Sequence, residues 1–241
     1  MLTDKLRKRI ARVVLEHAKR GELIARGLRP ARKLLFTGLP GTGKTMGAGA
    51  IARAIRLPMF RVETQGVFSS LFAESAQRLA KVFDFVRLMP AVYLFDEFDS
   101  IGAERSDTGS KADGGEARRV TNVLLQCIEG DQSNSMIIAA SNHAGMLDSA
   151  IFRRFDEMIV FDPLTKDEIA ELVRRKLVGF EAEPLDFDAI FKENESLGHA
   201  DLCAALERAC KDQVLEGLVI STASIIDGIA NRTRMRDDSS T

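Results

Sequence analysis

Eight consecutive residues, Gly38-Leu39-Pro40-Gly41-Thr42-Gly43-Lys44-Thr45, carry the spacing G-x-x-x-x-G-K-[ST]. Glycines at these places let backbone N–H groups turn toward phosphate oxygens, and a helix N-terminus behind them adds a favourable dipole. A nucleotide is expected to contact Pro40, Gly41, Thr42, Gly43, Lys44, Thr45 and Met46. Lys44 would reach the β- and γ-phosphates, and the Thr45 hydroxyl would hold Mg²⁺. A second group follows at Val92-Tyr93-Leu94-Phe95-Asp96-Glu97, where an apolar strand ends in two acids. Asp96 suits the Mg²⁺ shell, directly or through water, and Glu97 suits a general base that polarises an attacking water. Acids at a strand end are also common as solvated punctuation. Their position downstream of a phosphate-binding turn favours hydrolysis over simple nucleotide binding.

Two further groups suit the same chemistry. Ala139-Ala140-Ser141-Asn142 ends another apolar strand in an amide. If that strand neighbours the acid-tipped one, Asn142 would help orient water; otherwise it merely starts a turn. In Leu147-Asp148-Ser149-Ala150-Ile151-Phe152-Arg153-Arg154-Phe155-Asp156, two adjacent arginines close a short helix. A guanidinium supplied in trans to a transferring phosphate accelerates its transfer. The plainer reading is a cation complementing a helix dipole.

These residues need a scaffold that brings strand ends together. Apolar β-type runs at 33–37, 59–62, 91–95, 136–140 and 158–161 alternate with helical patterns at 43–55, 74–88, 116–129 and 148–155. That alternation, with strands apolar enough for burial on both faces, predicts a doubly wound, parallel, five-stranded α/β sheet sandwiched by helices. Residues 1–30 read as an amphipathic helix, with Leu6, Ile10, Val13, Val14 and Ala18 at helical spacing, followed by a Gly-punctuated connection. The sheet is expected to occupy 31–163. After Pro163 only helices are expected, at 165–178, 189–194, 199–217 and 222–231, forming a small all-helical lid subdomain over 164–241. Thr165 followed by Glu168 is a capping box that marks its start. Residues 106–115, SDTGSKADGG, read as a mobile surface loop.

Composition narrows the class. With 241 residues, 45% of them apolar, the chain can bury a sizeable core. A net charge of −1 argues against nucleic acid as the main partner. Three cysteines without paired or metal-like spacing suit free thiols in a reducing compartment. No apolar run reaches the length of a membrane span, and the N-terminus is too broken by charge for a signal peptide. A cytoplasmic protein is expected.

Taken in order, GLPGTGKT, VYLFDE, AASN and LDSAIFRRFD followed by helices resemble the AAA family within the AAA+ superfamily, over about residues 25–235. The resemblance implies ATP and Mg²⁺ as ligands and a helical lid. It further implies a homo-oligomeric ring, usually a hexamer, with each site shared between neighbours. Asn142 matches the sensor-1 asparagine, and Arg153 and Arg154 match arginines that reach the neighbouring subunit's site. The arginine segment lacks a Pro-Gly insertion and looks like the shorter form of microtubule-severing and membrane-complex-disassembling relatives. In the lid, the family's small-Gly-Ala-Asp motif corresponds to Gly198-His199-Ala200-Asp201, with His199 in place of glycine. Gly198 and His199 are therefore expected near the adenine; alternatively, His199 caps its helix. The family's pore loop carries an aromatic, which strict alignment puts at Leu71, with Phe72 one place later. Phe68, Leu71 and Phe72 could equally be the core stripe of the next helix.

The function implied is an ATPase that remodels, unfolds or disassembles protein substrates, with substrate choice left to an adaptor or protease in trans. A nucleic-acid-handling AAA+ ATPase, of clamp-loader-like or transposition-linked type, is the competing reading. A nucleotide-dependent scaffold is a third, and a small-molecule kinase suits the paired acids less well.

Overall fold

The structure is a computed structural model that describes residues 3–63, 72–98, 113–143, 145, 147, 149–194 and 198–238. The chain divides into two compact units. One comprises Leu2–Gly38 and Lys44–Phe161; the other comprises Asp162–Thr241 together with Leu39–Gly43.

The first unit is built on five parallel strands: β1 (Lys33–Thr37), β2 (Met59–Val62), β3 (Val92–Phe95), β4 (Met136–Ser141) and β5 (Glu157–Val160). They lie in the order β2-β3-β4-β1-β5, and every pairing is parallel. Parallel neighbours need crossovers, which α3 (Lys44–Ile55), α4 (Phe72–Leu88), α5 (Asp113–Gly130) and the short α6 (Ser149–Phe152) supply. The strands alternate strictly. Leu34, Phe36, Val92, Leu94, Met136, Ile138 and Ala140 pack on one face with Ala48 and Ile51 of α3. Leu35, Tyr93, Phe95, Ile137 and Ala139 pack on the other with Leu79 and Phe83 of α4 and with Leu124 and Ile128 of α5. The doubly wound sheet expected from the sequence is therefore present, and a period of two decides which helix each strand residue meets.

Helix α1 (Asp4–Ala18) opens with Thr3, whose hydroxyl accepts from Leu6 N. Its buried residues Leu6, Ile10 and Val13 join the α3-side core. Arg9 pairs with Glu157 at 3.1 Å, and Glu16 accepts from Ala31 N at 3.0 Å. The connection after it contains a further short helix, α2 (Arg20–Ala25). The burial expected of every strand holds for β1, β3 and β4 and fails for β2, whose residues are mostly exposed, and for β5, in which Ile159 alone is buried. β2 is an edge strand paired with β3 alone, so one flank and much of its surface face water. Helix α6 spans four residues, shorter than the expected 148–155. Arg153 and Arg154 instead form a turn, with Arg154 N on Ile151 O at 3.0 Å. Of the segment expected as a loop, 106–112 lies outside the described residues, and 113–115 already belongs to α5.

The second unit holds α7 (Lys166–Lys176), α8 (Phe187–Glu193), α9 (His199–Glu216) and α10 (Thr222–Asp238). Thr165 Oγ1 accepts from Glu168 N at 3.4 Å while Glu168 Oε2 accepts from Thr165 N at 2.9 Å, so the expected capping box forms. Gly217, at φ +71°, stops α9 in a left-handed conformation that glycine adopts without a Cβ clash. Ile169, Val173, Ile190, Leu202, Leu206, Ile225 and Ile229 make its core. Helix α10 continues seven residues beyond the expected end at 231. Cys127, Cys203 and Cys210 are half-buried free thiols, and burial raises the pKa of each. That places them away from reactive thiolate behaviour. Among the described residues, no helix is long and apolar enough to cross a membrane.

Phe36 is fully buried, its ring 4.9 Å from that of Phe161. Phe36→Ala should cost about 3–5 kcal/mol. Phe85→Ala, at a site 63% exposed, should stay within about 0.5 kcal/mol. Urea unfolding midpoints of the two variants check the contrast.

Candidate active site

Parallel register sets where the chemistry-bearing residues emerge. Leu35, Ala139 and Phe95 form one row across β1, β4 and β3. One to three residues further along, these strands deliver Gly38, Asn142, Asp96 and Glu97 at a single sheet edge, the C-terminal one where open α/β sheets bind ligands. β3 and β4 are neighbours, as the orienting role suggested for Asn142 requires.

Glu97 sits at φ +54°, uncommon for a residue with a side chain. Its neighbours account for it. Phe98 is buried in the core and its N–H bonds Ala140 O at 2.8 Å. On the other side, Asp96 Oδ1 accepts from Glu97 N at 3.1 Å. Between a buried anchor and an Asp-capped peptide, the backbone is forced outward and Glu97 ends up exposed. Such strain, of order 1 kcal/mol, persists where surrounding contacts over-determine it.

Thr45 Oγ1 donates to Asp96 Oδ2 at 3.2 Å. The hydroxyl at the start of α3 and the carboxylate at the end of β3 therefore converge. Hard oxygen donors brought together in this way fit Mg²⁺. Lys44 is buried to 6% exposure, and its ammonium donates to Gly38 O at 2.7 Å. The lysine is folded back over the turn that it would serve.

In the helical unit, the turn Leu39–Gly43 is tied to the start of α9. Ala200 N bonds Gly41 O at 3.0 Å. A Cβ on Gly198 would lie 2.6 Å from Pro40 O and 2.7 Å from the Gly41 carbonyl carbon, so only glycine allows this approach. Asp201 Oδ2 accepts from Gly198 N at 3.3 Å, and Asp201 also pairs with Arg232 of α10 at 3.4 Å. His199 follows, buried at the helix start, and burial lowers its pKa to about 4. It is a neutral imidazole beside the loop at physiological pH.

Arg153 is exposed, whereas Arg154 forms an ion pair with Glu129 near the end of α5. Leu71 lies outside the described residues, and Phe72 is the first residue of α4, with its backbone alone described. Sequence reasoning missed Glu129 as the partner of Arg154, Arg61 as an ion-pair partner of Asp96, and the backbone approach of Gly198. For Gly198 a signal was present, since a lone glycine opening a helix is read either as a cap or as a close contact.

A parallel sheet with a Lys-Thr turn after β1 and an acid pair after β3 defines a P-loop nucleotide-binding protein. The profile of the "ATPase family associated with various cellular activities (AAA)" matches residues 34–163. The chain belongs to the AAA family of ATPases. It is 37% identical over 208 residues to the "Uncharacterized AAA family ATPase y4kL" of Sinorhizobium fredii (strain NBRC 101917 / NGR234), covering 86% of this chain. It spans 60% of the length of that relative. The crystal structure of the FIGL-1 AAA domain shares the fold at a TM-score of 0.69 and 20% identity, over 95% of this chain and 80% of that one. The FIGL-1 AAA domain in complex with ADP matches at 0.68 and 21% identity, over 93% of this chain and 80% of that one.

Gly198→Ala should clash with the loop backbone and cost about 1–3 kcal/mol; the midpoint of thermal unfolding, with and without ADP, reads the loss. His199 makes a separate prediction. Its folded pKa of about 4 lies below the ordinary 6.5, so the unfolded chain binds the proton first as pH falls. Its contribution is complete above pH 6.5 and is lost between 6.5 and 4, by up to about 1.4 kcal/mol per unit. Urea titrations from pH 7.5 to 4.5 should show a shallower decline for His199→Gln; equal slopes would refute this.

Proposed function

We propose that this AAA ATPase couples ATP hydrolysis to the remodelling, unfolding or disassembly of protein substrates as a homo-oligomeric ring, a hexamer in the usual family form. The observation that carries the hydrolytic part is the convergence of Thr45 and Asp96 beside the strained, outward Glu97. Pro40, Gly41, Thr42, Gly43 and Met46 line the phosphate turn, and Lys44 exchanges its bond to Gly38 O for the β- and γ-phosphates. Thr45 and Asp96 hold Mg²⁺, which supplies charge neutralisation of the phosphates. Glu97 accepts the proton of a water aligned by Asn142, and that water attacks the γ-phosphorus as its bond to the β–γ bridging oxygen breaks, releasing ADP and phosphate. Neutral His199 and the Gly198 backbone flank the adenine.

The arginines divide the remaining work. Arg154 is engaged by Glu129 of its own chain, while exposed Arg153 is the better placed to serve a neighbouring subunit. That makes Arg153 the main finger and makes each site depend on assembly. Leu71 and Phe72 contact substrate in the ring's pore. Recruitment belongs to an adaptor or protease acting in trans, in the cytoplasm. The net charge of −1 gives no support to a nucleic-acid substrate.

Glu97→Gln should lower turnover by about 10²–10⁴-fold while leaving ADP affinity within a few-fold. Arg153→Ala should lower turnover and remove its dependence on protein concentration, with Arg154→Ala less affected. ATPase rate against protein concentration, run beside light scattering, reads all three. Full activity in a monomer would rule out the shared site.

A further inference from the structure

Arg61 has no place in the account above, yet it touches the proposed metal ligand. It lies on edge strand β2 in register with Leu94 of β3. Successive side chains alternate across a strand, so Arg61 shares the α3-side face with Leu94 and with Asp96, two residues further on. Its Nη2 lies 3.4 Å from Asp96 Oδ2. The same oxygen accepts the Thr45 hydroxyl at 3.2 Å. One carboxylate oxygen therefore meets both the hydroxyl proposed to hold the metal and a guanidinium. The Arg61 side chain is 57% exposed and that of Asp96 17%. The arginine has open solvent to turn into, whereas the carboxylate does not.

A divalent cation on Thr45 and Asp96 would need the lone pairs of Oδ2 and would repel a guanidinium held beside it. Both cannot hold that oxygen at full strength. We propose that Arg61 is a positioning residue that acts as the placeholder counter-ion of Asp96, competing with Mg²⁺ and turning out toward solvent when the metal is taken up. The inference rests on the Mg²⁺ reading of Thr45 and Asp96 given above. It gives the resting site a defined charge balance, with Asp96 neutralised by the protein until metal and nucleotide arrive. It also makes the Mg²⁺ requirement of the ATPase a property that β2 tunes.

The test is fluorescence titration of the whole chain with N-methylanthraniloyl-ADP, first in EDTA and then across a Mg²⁺ series. Arg61→Gln should leave the metal-free ADP affinity within about twofold of wild type. It should lower the half-saturating Mg²⁺ concentration by about two- to fivefold, the scale of an exposed ion pair. Arg61→Lys, which keeps the charge, should stay near wild type, and thermal melts should confirm that both variants are folded. An unchanged or raised Mg²⁺ requirement in Arg61→Gln would overturn the competition. So would a loss of metal-free ADP affinity, which would make Arg61 a nucleotide contact. A wild type that binds ADP with no response to Mg²⁺ would instead remove the metal reading of Thr45 and Asp96, and this inference with it. The first two outcomes would leave that reading standing.

Discussion

The register of three parallel strands, β1, β4 and β3, is the constraint on which the rest of this site depends. Because Leu35, Ala139 and Phe95 share a row, the residues that follow them leave the sheet at one edge. A slip of a single residue would send Asp96 to the other face and exchange the two cores. The register is held by both faces at once. Leu34, Phe36 and Leu94 are locked against α3 while Leu35, Tyr93 and Phe95 are locked against α4 and α5. Hydrophobic burial, which is not directional, thereby fixes the position of polar groups that contribute little to stability themselves.

Electrostatics at this edge is arranged as a set of exchangeable pairings. Lys44 holds Gly38 O, and Asp96 holds Thr45 and Arg61. Each partner is another part of the same chain, and the Asp96 carboxylate is balanced by the Arg61 guanidinium. Bonds of this kind to exposed or half-exposed groups are individually weak. A polyphosphate with its metal offers stronger, multiply charged partners. Under the mechanism proposed above, binding would replace these weak internal pairs with little desolvation of bare charge.

The helical unit adds a different coupling. Its α9 begins with Gly198 pressed on Pro40 and Gly41, and Ala200 N is bonded to Gly41 O. Asp201 then carries the contact to Arg232 on α10. Backbone-to-backbone contact transmits displacement without the slack of a side chain. The start of α9 is thereby tied to Pro40 and Gly41 on one side and, through Asp201, to α10 on the other.

Much of this was legible in the amino-acid order, for local reasons. The turn 38–45, the acid pair after an apolar run, the capping box at Thr165 and the β1 and β2 boundaries all follow from residue type and short-range spacing. The periods of strand and helix are local properties. Strand order, the exposure of β2, the positive φ of Glu97, and the pairings of Arg61 with Asp96 and Arg154 with Glu129 were decided by tertiary structure alone. Arg61 and Asp96 are 35 positions apart, brought together because β2 happens to pair with β3 and to lie at the sheet's edge. Sequence spacing specifies the face on which a side chain stands; only the assembled sheet specifies what stands opposite it.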